Sequence, residues 1–251
     1  MSDLIAGLRR LHLPTVNRLY AEYEQMATRE GWSYVEYLER LVAEEITHRI
    51  ETRVSRALRA AHLPFIKTIE EFDFQFQKSV QRRMLGAYLG PELVSEGRCL
   101  ILYGPPGTGK TALSVAIAVK AIQNGFDARF VTATQMITSL TEAEKKGSTS
   151  ETLPLYLDPD VLVIDEVGYL SYGPNAANVV FQVVNHRYLA GNRPMIFTSN
   201  KVPSDWATVL HDADLSEAIL DRVLHKGEII RLKGQSYRRF SSGKEVENTL
   251  Q

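Results

Sequence analysis

The sequence is poor in several things, and each shortage excludes a class of protein. One cysteine, Cys99, is present among 251 residues, so no intramolecular disulfide can form. A chain without disulfides fits a reducing compartment, and a cytoplasmic location is the expectation. The apolar neighbours Leu100, Ile101 and Leu102 mark Cys99 as a small buried hydrophobe, not a reactive thiol. No apolar run approaches the roughly 20 residues of a membrane span, so no membrane partner is expected. Arg9 and Arg10 are not followed by the apolar stretch of a signal peptide. Excess charge of one sign is also missing. Lys and Arg total 29 against 30 Asp and Glu, a formal net charge of -1, which excludes a histone-like polycation. It leaves open a local basic patch, which is what nucleic-acid binding needs. There is no internal repeat, no zinc-ligand spacing and no recognition-helix signature.

What is there suffices for an ordinary globular protein. Hydrophobic residues make up 44% and charged residues 24%. That allows a core of normal size in one or two domains of about 150 residues each.

The chain changes its grammar along its length. Up to about Leu63 the pattern is helical. Leu4, Leu8 and Leu11 recur at turn spacing, and Pro14 opens a second helix with Val16, Leu19, Tyr20, Tyr23 and Met26 on one face. Ser33 and Glu36 fit a capping box, with Ser33 accepting from the Glu36 amide and Glu36 reaching back. A long helix to about Ala61 follows, its apolar side made by Val35, Leu38, Leu41, Val42, Ile46, Ile50, Val54 and Leu58. From about Cys99 onward, short β-rich runs alternate with helical stretches. Strands are predicted at 99–103, 128–132, 161–165, 195–199 and 229–232, with helices over 111–124, 134–146, 176–190 and 216–223. Such alternation implies an α/β fold, a parallel five-stranded sheet between helices, preceded by an all-α amino-terminal domain. The expected division is 1–66 as the helical domain, 67–97 as linker and 98–251 as the α/β domain. Residues 145–150 read as an exposed, mobile loop.

The strongest chemical signal is the run Gly104, Pro105, Pro106, Gly107, Thr108, Gly109, Lys110, Thr111, which matches the phosphate-binding P-loop. Its glycines let successive N–H groups turn inward around phosphate oxygens, and the dipole of the helix that follows adds positive potential. Lys110 is placed to reach the β- and γ-phosphates of ATP, and the Thr111 hydroxyl to ligate Mg²⁺. About 55 residues later four apolar residues, 161–164, lead into Asp165 and Glu166. In open parallel sheets ligands bind at the carboxyl ends of strands, where these two acids emerge. Asp165 suits the metal, and Glu166 suits polarising an attacking water. Asn200, at the polar end of a third strand, can orient that water or contact the γ-phosphate. Phe72 and Phe74 are candidates for the adenine pocket. Two acids followed by Asn200 suit attack by water better than transfer to a small-molecule acceptor.

Arg49, Arg53, Arg56 and Arg59 recur at helical spacing and span a sector of about 120°. With only Glu51 among them, they form a positive stripe able to contact DNA phosphates without reading bases. Pairing with Glu44, Glu45 or a neighbouring subunit is the plainer use of the same row.

The sequence resembles the AAA+ ATPases. The loop at 104–111 has that superfamily's form, Asp165 and Glu166 resemble its Walker B pair, and Asn200 resembles its sensor 1. It is more similar still to the IstB-like transposition helper ATPases of bacterial insertion sequences, relatives of the DnaC-type helicase loaders. Phe72-Asp73-Phe74, Asp165 to Leu170, Ala218 to His225 and Gly234 to Arg238 carry that likeness. The resemblance implies an ATP-hydrolysing homo-oligomer, a ring or helical filament, that binds double-stranded DNA and helps its element's transposase select and use target DNA. It also implies an arginine supplied to the γ-phosphate by a neighbouring subunit. Arg222 matches the family's finger region, with Arg187 and Arg193 as rivals. The roughly twenty residues after the last strand look too few for a carboxy-terminal lid, leaving Arg238 or Arg239 as candidate charges near the nucleotide. A helicase loader of the DnaC type is the alternative function.

Overall fold

The computed structural model describes residues 2–168, 172–173, 175–237 and 239–240. The chain divides into two compact units, Met1–Arg56 and Ala57–Gln251.

The first unit is helical: α1 (Ser2–Arg10), α2 (Pro14–Glu30) and most of α3 (Tyr34–Ala60). Pro14 opens α2 as expected, and Gly31 closes it in the left-handed conformation at φ 69. Two amides at the start of α2, those of Thr15 and Val16, donate to the buried Glu45 carboxylate of α3 at 2.8 and 3.2 Å. Arg49 Nε donates to the same carboxylate at 2.9 Å. Burial by itself would raise this carboxyl, but the bonds from Arg49, Val16 and Thr15 outweigh it and hold it below the usual glutamate value.

Two local expectations fail here. Ser33 does accept from the Glu36 amide at 3.1 Å, yet the Glu36 carboxylate turns forward to Arg40 at 2.9 Å and completes no capping box. An i,i+4 ion pair competes for the same side chain. The apolar side of α3 is also largely uncovered. Through Arg56 its buried positions are Leu41 and Glu45, whereas Val35, Leu38, Val42, Ile46 and Ile50 are 44% to 65% exposed. Two short partner helices cover one side of α3 and cannot wrap the other.

The second unit is built on β1 (Cys99–Tyr103), α4 (Lys110–Gln123), β2 (Ala128–Thr132), α5 (Ala133–Lys146), β3 (Val161–Val167), α6 (Ala176–Ala190), β4 (Met195–Ser199), α7 (Ala213–His225) and β5 (Gly227–Arg231). The five strands form one parallel sheet in the order β2-β3-β4-β1-β5. Strands β1, β3 and β4 are almost wholly buried, as expected of a sheet covered on both faces. Every residue of α4 from Leu113 to Val119 is buried.

Strand β5 starts two residues before its predicted position. Helix α7 starts three residues early because Asp212 caps it, accepting from the Leu215 amide at 2.8 Å. The loop expected over 145–150 is shorter. Lys145 and Lys146 end α5, Gly147 caps it at φ 70, and a helical turn, Thr149–Thr152, follows.

Strand order decides what meets what. Strand β4 lies between β1 and β3, so its carboxyl end sits between the P-loop and the two acids. No described helix is long and apolar enough to cross a membrane.

Candidate nucleotide site

The loop between β1 and α4 is held from several sides. Gly107 and Gly109 take φ 80 and 94, values that other residues rarely adopt. A Cβ at Gly109 would stand 3.3 Å from the Phe72 ring, and one at Gly107 would stand 2.2 Å from Ser236 Oγ. Two segments outside the predicted core therefore brace the loop. Buried Gln77 donates through Nε2 to the Thr108 carbonyl at 2.8 Å, and the Tyr237 amide donates to the Gly107 carbonyl at 2.9 Å. Phe76 packs edge-on to Tyr237, with ring centroids 5.1 Å apart. Gln77 of the linker thus braces the loop, a role that spacing along the chain could not reveal.

Within the loop, Lys110 Nζ donates to the carbonyls of Gly104 and Pro105, both at 2.8 Å. The Thr108 hydroxyl donates to Pro105 at 2.8 Å. Thr111, in the first turn of α4, donates to both Asp165 oxygens at 3.1 and 3.2 Å. Asp165 is 4% exposed and also accepts from the Thr198 hydroxyl. Glu166 is exposed, at φ 61, with its own amide donating to Thr198 at 3.1 Å. Asn200 stands at the end of β4, and its Oδ1 is buried with no donor among the described residues. Phe72 is buried and packs against Phe74, ring centroids 4.9 Å apart.

The donor set fits a small hard cation. A threonine hydroxyl and a carboxylate, both oxygen ligands, already touch, and Mg²⁺ is commonly held by such a pair with waters and phosphate oxygens. The orphaned Asn200 acceptor fits a water, whose O–H would satisfy it.

The three arginines considered for the trans role differ sharply. Arg187 is 1% exposed and donates to five main-chain carbonyls, so it cannot reach another subunit. Arg193 is paired with Asp160 at 2.6 Å. Arg222 is half-buried on α7, donating to Asn185 at 2.9 Å and lying over the Phe181 ring at 4.8 Å. Its partners lie in α6 and α7, not in the P-loop of its own chain. Arg239 is exposed, and Arg238 lies outside the described residues.

In the first unit, Arg49, Arg53 and Arg56 line one groove of about 600 Å³, joined there by Arg9, His12 and His48. The last three were not singled out in the sequence: Arg9 lies on α1, His12 in the turn after it, and His48 beside Arg49 on α3. Arg49 is engaged by Glu45 and by the His12 carbonyl. Arg59 is exposed in the last turn of α3 and does not line the groove.

A parallel sheet in this order, with a P-loop after β1 and paired acids at the end of β3, defines a P-loop ATPase of the AAA+ class. Solved structures with this fold include AMPPCP-bound DnaA from Aquifex aeolicus, at TM-score 0.56 and 24% identity over 75% of this chain and 56% of that one. The DnaC helicase loader aligns at TM-score 0.51 and 21% identity, over 71% of this chain and 99% of the other. The family model for IstB-like ATP binding proteins matches residues 6–244, and the chain belongs to that family. It is 37% identical to the insertion sequence IS5376 ATP-binding protein of Geobacillus stearothermophilus, over 91% of this chain and 90% of that one. It is 33% identical to the insertion sequence IS21 ATP-binding protein of Pseudomonas aeruginosa, over 95% and 89%.

Proposed function

We propose that the protein is an ATP-hydrolysing, self-assembling, DNA-binding regulator that helps the transposase of its insertion sequence select and use target DNA. It acts in the bacterial cytoplasm, associated with DNA. The observation that carries this reading is the connected set Thr111, Asp165, Thr198 and Glu166 beside the P-loop, in a chain of an insertion-sequence ATP-binding family.

The loop amides of residues 107–111 receive the β- and γ-phosphates, and Lys110 exchanges its two loop carbonyls for phosphate oxygens. Thr111 and Asp165 would hold Mg²⁺, which when bound would supply positive charge to offset that on the phosphates. Glu166 takes a proton from the attacking water, and Asn200 Oδ1 orients that water. Phe72, beside Gly109, and Phe74, packed on Phe72, wall the adenine. Arg222 of one subunit serves the γ-phosphate bound by its neighbour. Of the three arginines considered, it alone combines partial exposure with partners that are one neutral side chain, one carbonyl and aromatic rings.

The helical domain, residues 1–66, binds DNA and supports assembly, and residues 67–97 join it to the ATPase domain, 98–251. The uncovered row Val35, Leu38, Val42, Ile46 and Ile50 supports self-association, since monomers rarely leave a contiguous apolar row exposed. The basic groove supports contact with the phosphate backbone. Each phosphate contact contributes about 0.9 to the slope of log affinity against log salt. Replacing both Arg53 and Arg56 by alanine should lower that slope by up to about 2 in duplex-binding titrations, equally for unrelated sequences. An unchanged slope would remove the groove from the DNA path.

Sedimentation with duplex DNA and ATP tests the whole reading. The wild-type chain should form large DNA-bound assemblies, and Arg222→Ala should form them without releasing phosphate. Free monomer under all conditions would refute the proposal. The likeness to the DnaC helicase loader favours a second reading, in which the partner is a replicative helicase. Co-purification with transposase or with helicase separates the two.

A further inference from the structure

Strands β3 and β4 pair in register up to Ile164 opposite Phe197 and resume with Val167 opposite Ser199. Between these points β3 has two residues, Asp165 and Glu166, where β4 has one, Thr198. This is a β-bulge, and bulges re-aim side chains. Its two residues are those assigned to the metal and to the water. The bulge bends Glu166 into the left-handed region at φ 61, a conformation that strains a non-glycine residue.

Thr198 is the single residue opposite the bulge, and it bonds both members. Its hydroxyl donates to Asp165 Oδ1 and accepts from the Glu166 amide at 3.1 Å. A hydroxyl combines a strong donor and acceptors on one atom, which valine lacks. Thr198 is 1% exposed and packed within the sheet, so it is not placed to touch the reacting water itself. Two further bonds fix the far side of the bulge. Ser199 donates to the Val167 carbonyl at 2.6 Å, and Tyr172 donates to the Glu166 carbonyl at 3.2 Å.

We infer that Thr198 is a positioning residue for hydrolysis, its hydroxyl holding the bulge that aims Glu166 and tying that aim to the metal-binding carboxylate of Asp165. The inference rests on the reading of Glu166 as the base. It gives the hydroxyl a task distinct from nucleotide binding, because the phosphate contacts come from the P-loop. Without it, the Glu166 amide loses its partner and the strained backbone can relax. A displacement of about 1 Å at a reacting group can cost 10²-fold in rate.

The test compares Thr198→Val, Thr198→Ser and Glu166→Gln, singly and as the Val–Gln double variant, by single-turnover hydrolysis and by ATP binding in calorimetry. Thr198→Val should lower the hydrolysis rate about 10- to 100-fold while changing ATP affinity less than about threefold. Thr198→Ser, which keeps both bonds, should restore the rate to within about threefold of wild type. In the Glu166→Gln background the valine should add almost nothing, since its effect runs through Glu166. If Thr198→Val does not fold, Thr198→Ala replaces it in the same comparison. Wild-type turnover in the valine or alanine variant overturns the inference while leaving Glu166 as base, provided Glu166→Gln is slow. A full additive loss in the double variant also overturns it. Wild-type turnover in Glu166→Gln overturns the assignment of the base and this inference together.

Discussion

Glu166→Gln should bind ATP with nearly wild-type affinity and lose hydrolysis by about 10²–10⁴-fold, the usual contribution of a positioned general base. Glutamine keeps the size of the side chain and leaves the backbone bonds of the bulge in place. It cannot accept a proton. In the proposed mechanism the phosphate contacts come from the loop amides and Lys110, so binding has no reason to fall. The assembled, ATP-bound state should therefore accumulate, visible in sedimentation as complexes that persist after excess ATP is removed. Phosphate release at the wild-type rate would mean that the proton goes elsewhere.

The second large effect is on stability and comes from far outside the site. Arg187 enters the sheet from α6 and donates to the carbonyls of Tyr156 at 2.8 Å, Leu157 at 3.2 Å, Pro159 at 2.9 Å, Asp160 at 2.8 Å and Pro194 at 3.0 Å. These carbonyls gather at the amino-terminal ends of β3 and β4, opposite the ends that carry Asp165 and Asn200. Burial pulls the guanidinium down to about 9, so it is still charged at neutral pH. Arg187→Met fills similar space and removes the guanidinium from five carbonyls, of which that of Pro194 keeps the Leu162 amide at 3.2 Å. Each buried carbonyl left unsatisfied costs about 1–3 kcal/mol, so several together cost about 3–5 kcal/mol even after partial relaxation. At about 2–4 °C per kcal/mol for a unit of this size, the melting temperature should drop by roughly 10 °C or more. Arg187→Lys should recover part of this, because an ammonium has three donors at one point where the guanidinium has a planar fork. Protein that remains folded should still bind ATP. A thermal midpoint for Arg187→Met within about 2 °C of wild type would sink this account.

Much of the site was legible because its parts are contiguous. The P-loop needs glycines, lysine and threonine in one short run, and the paired acids follow an unbroken apolar strand. Strands β1, β2 and β4 and helix α6 fall at their expected limits for the same reason, since their hydrophobic runs are short and bounded by turn residues. Helix α7 was underestimated because its start depends on Asp212 reaching the Leu215 amide. Thr198 was in plain view beside Asn200 yet gave no signal, since a threonine in a strand is ordinary until the residue opposite it is known. Arg187 was considered as a finger because a helix-borne arginine looks the same whether it faces solvent or a cage of carbonyls. Gln77 and Ser236, which brace the P-loop, lie 31 residues before Thr108 and well beyond its helix, so no local pattern could join them to it.

Local chemistry along the chain determined that this protein has a P-loop, a pair of acids at the end of an apolar strand and a helical amino-terminal region, because each follows from residue types a few positions apart. The tertiary structure alone decided which arginine is locked inside, which side of α3 stays bare and how Glu166 is aimed. Those outcomes depend on strand order and on partners brought together from distant parts of the chain, where hydrogen-bond geometry and packing, not sequence spacing, select the contact.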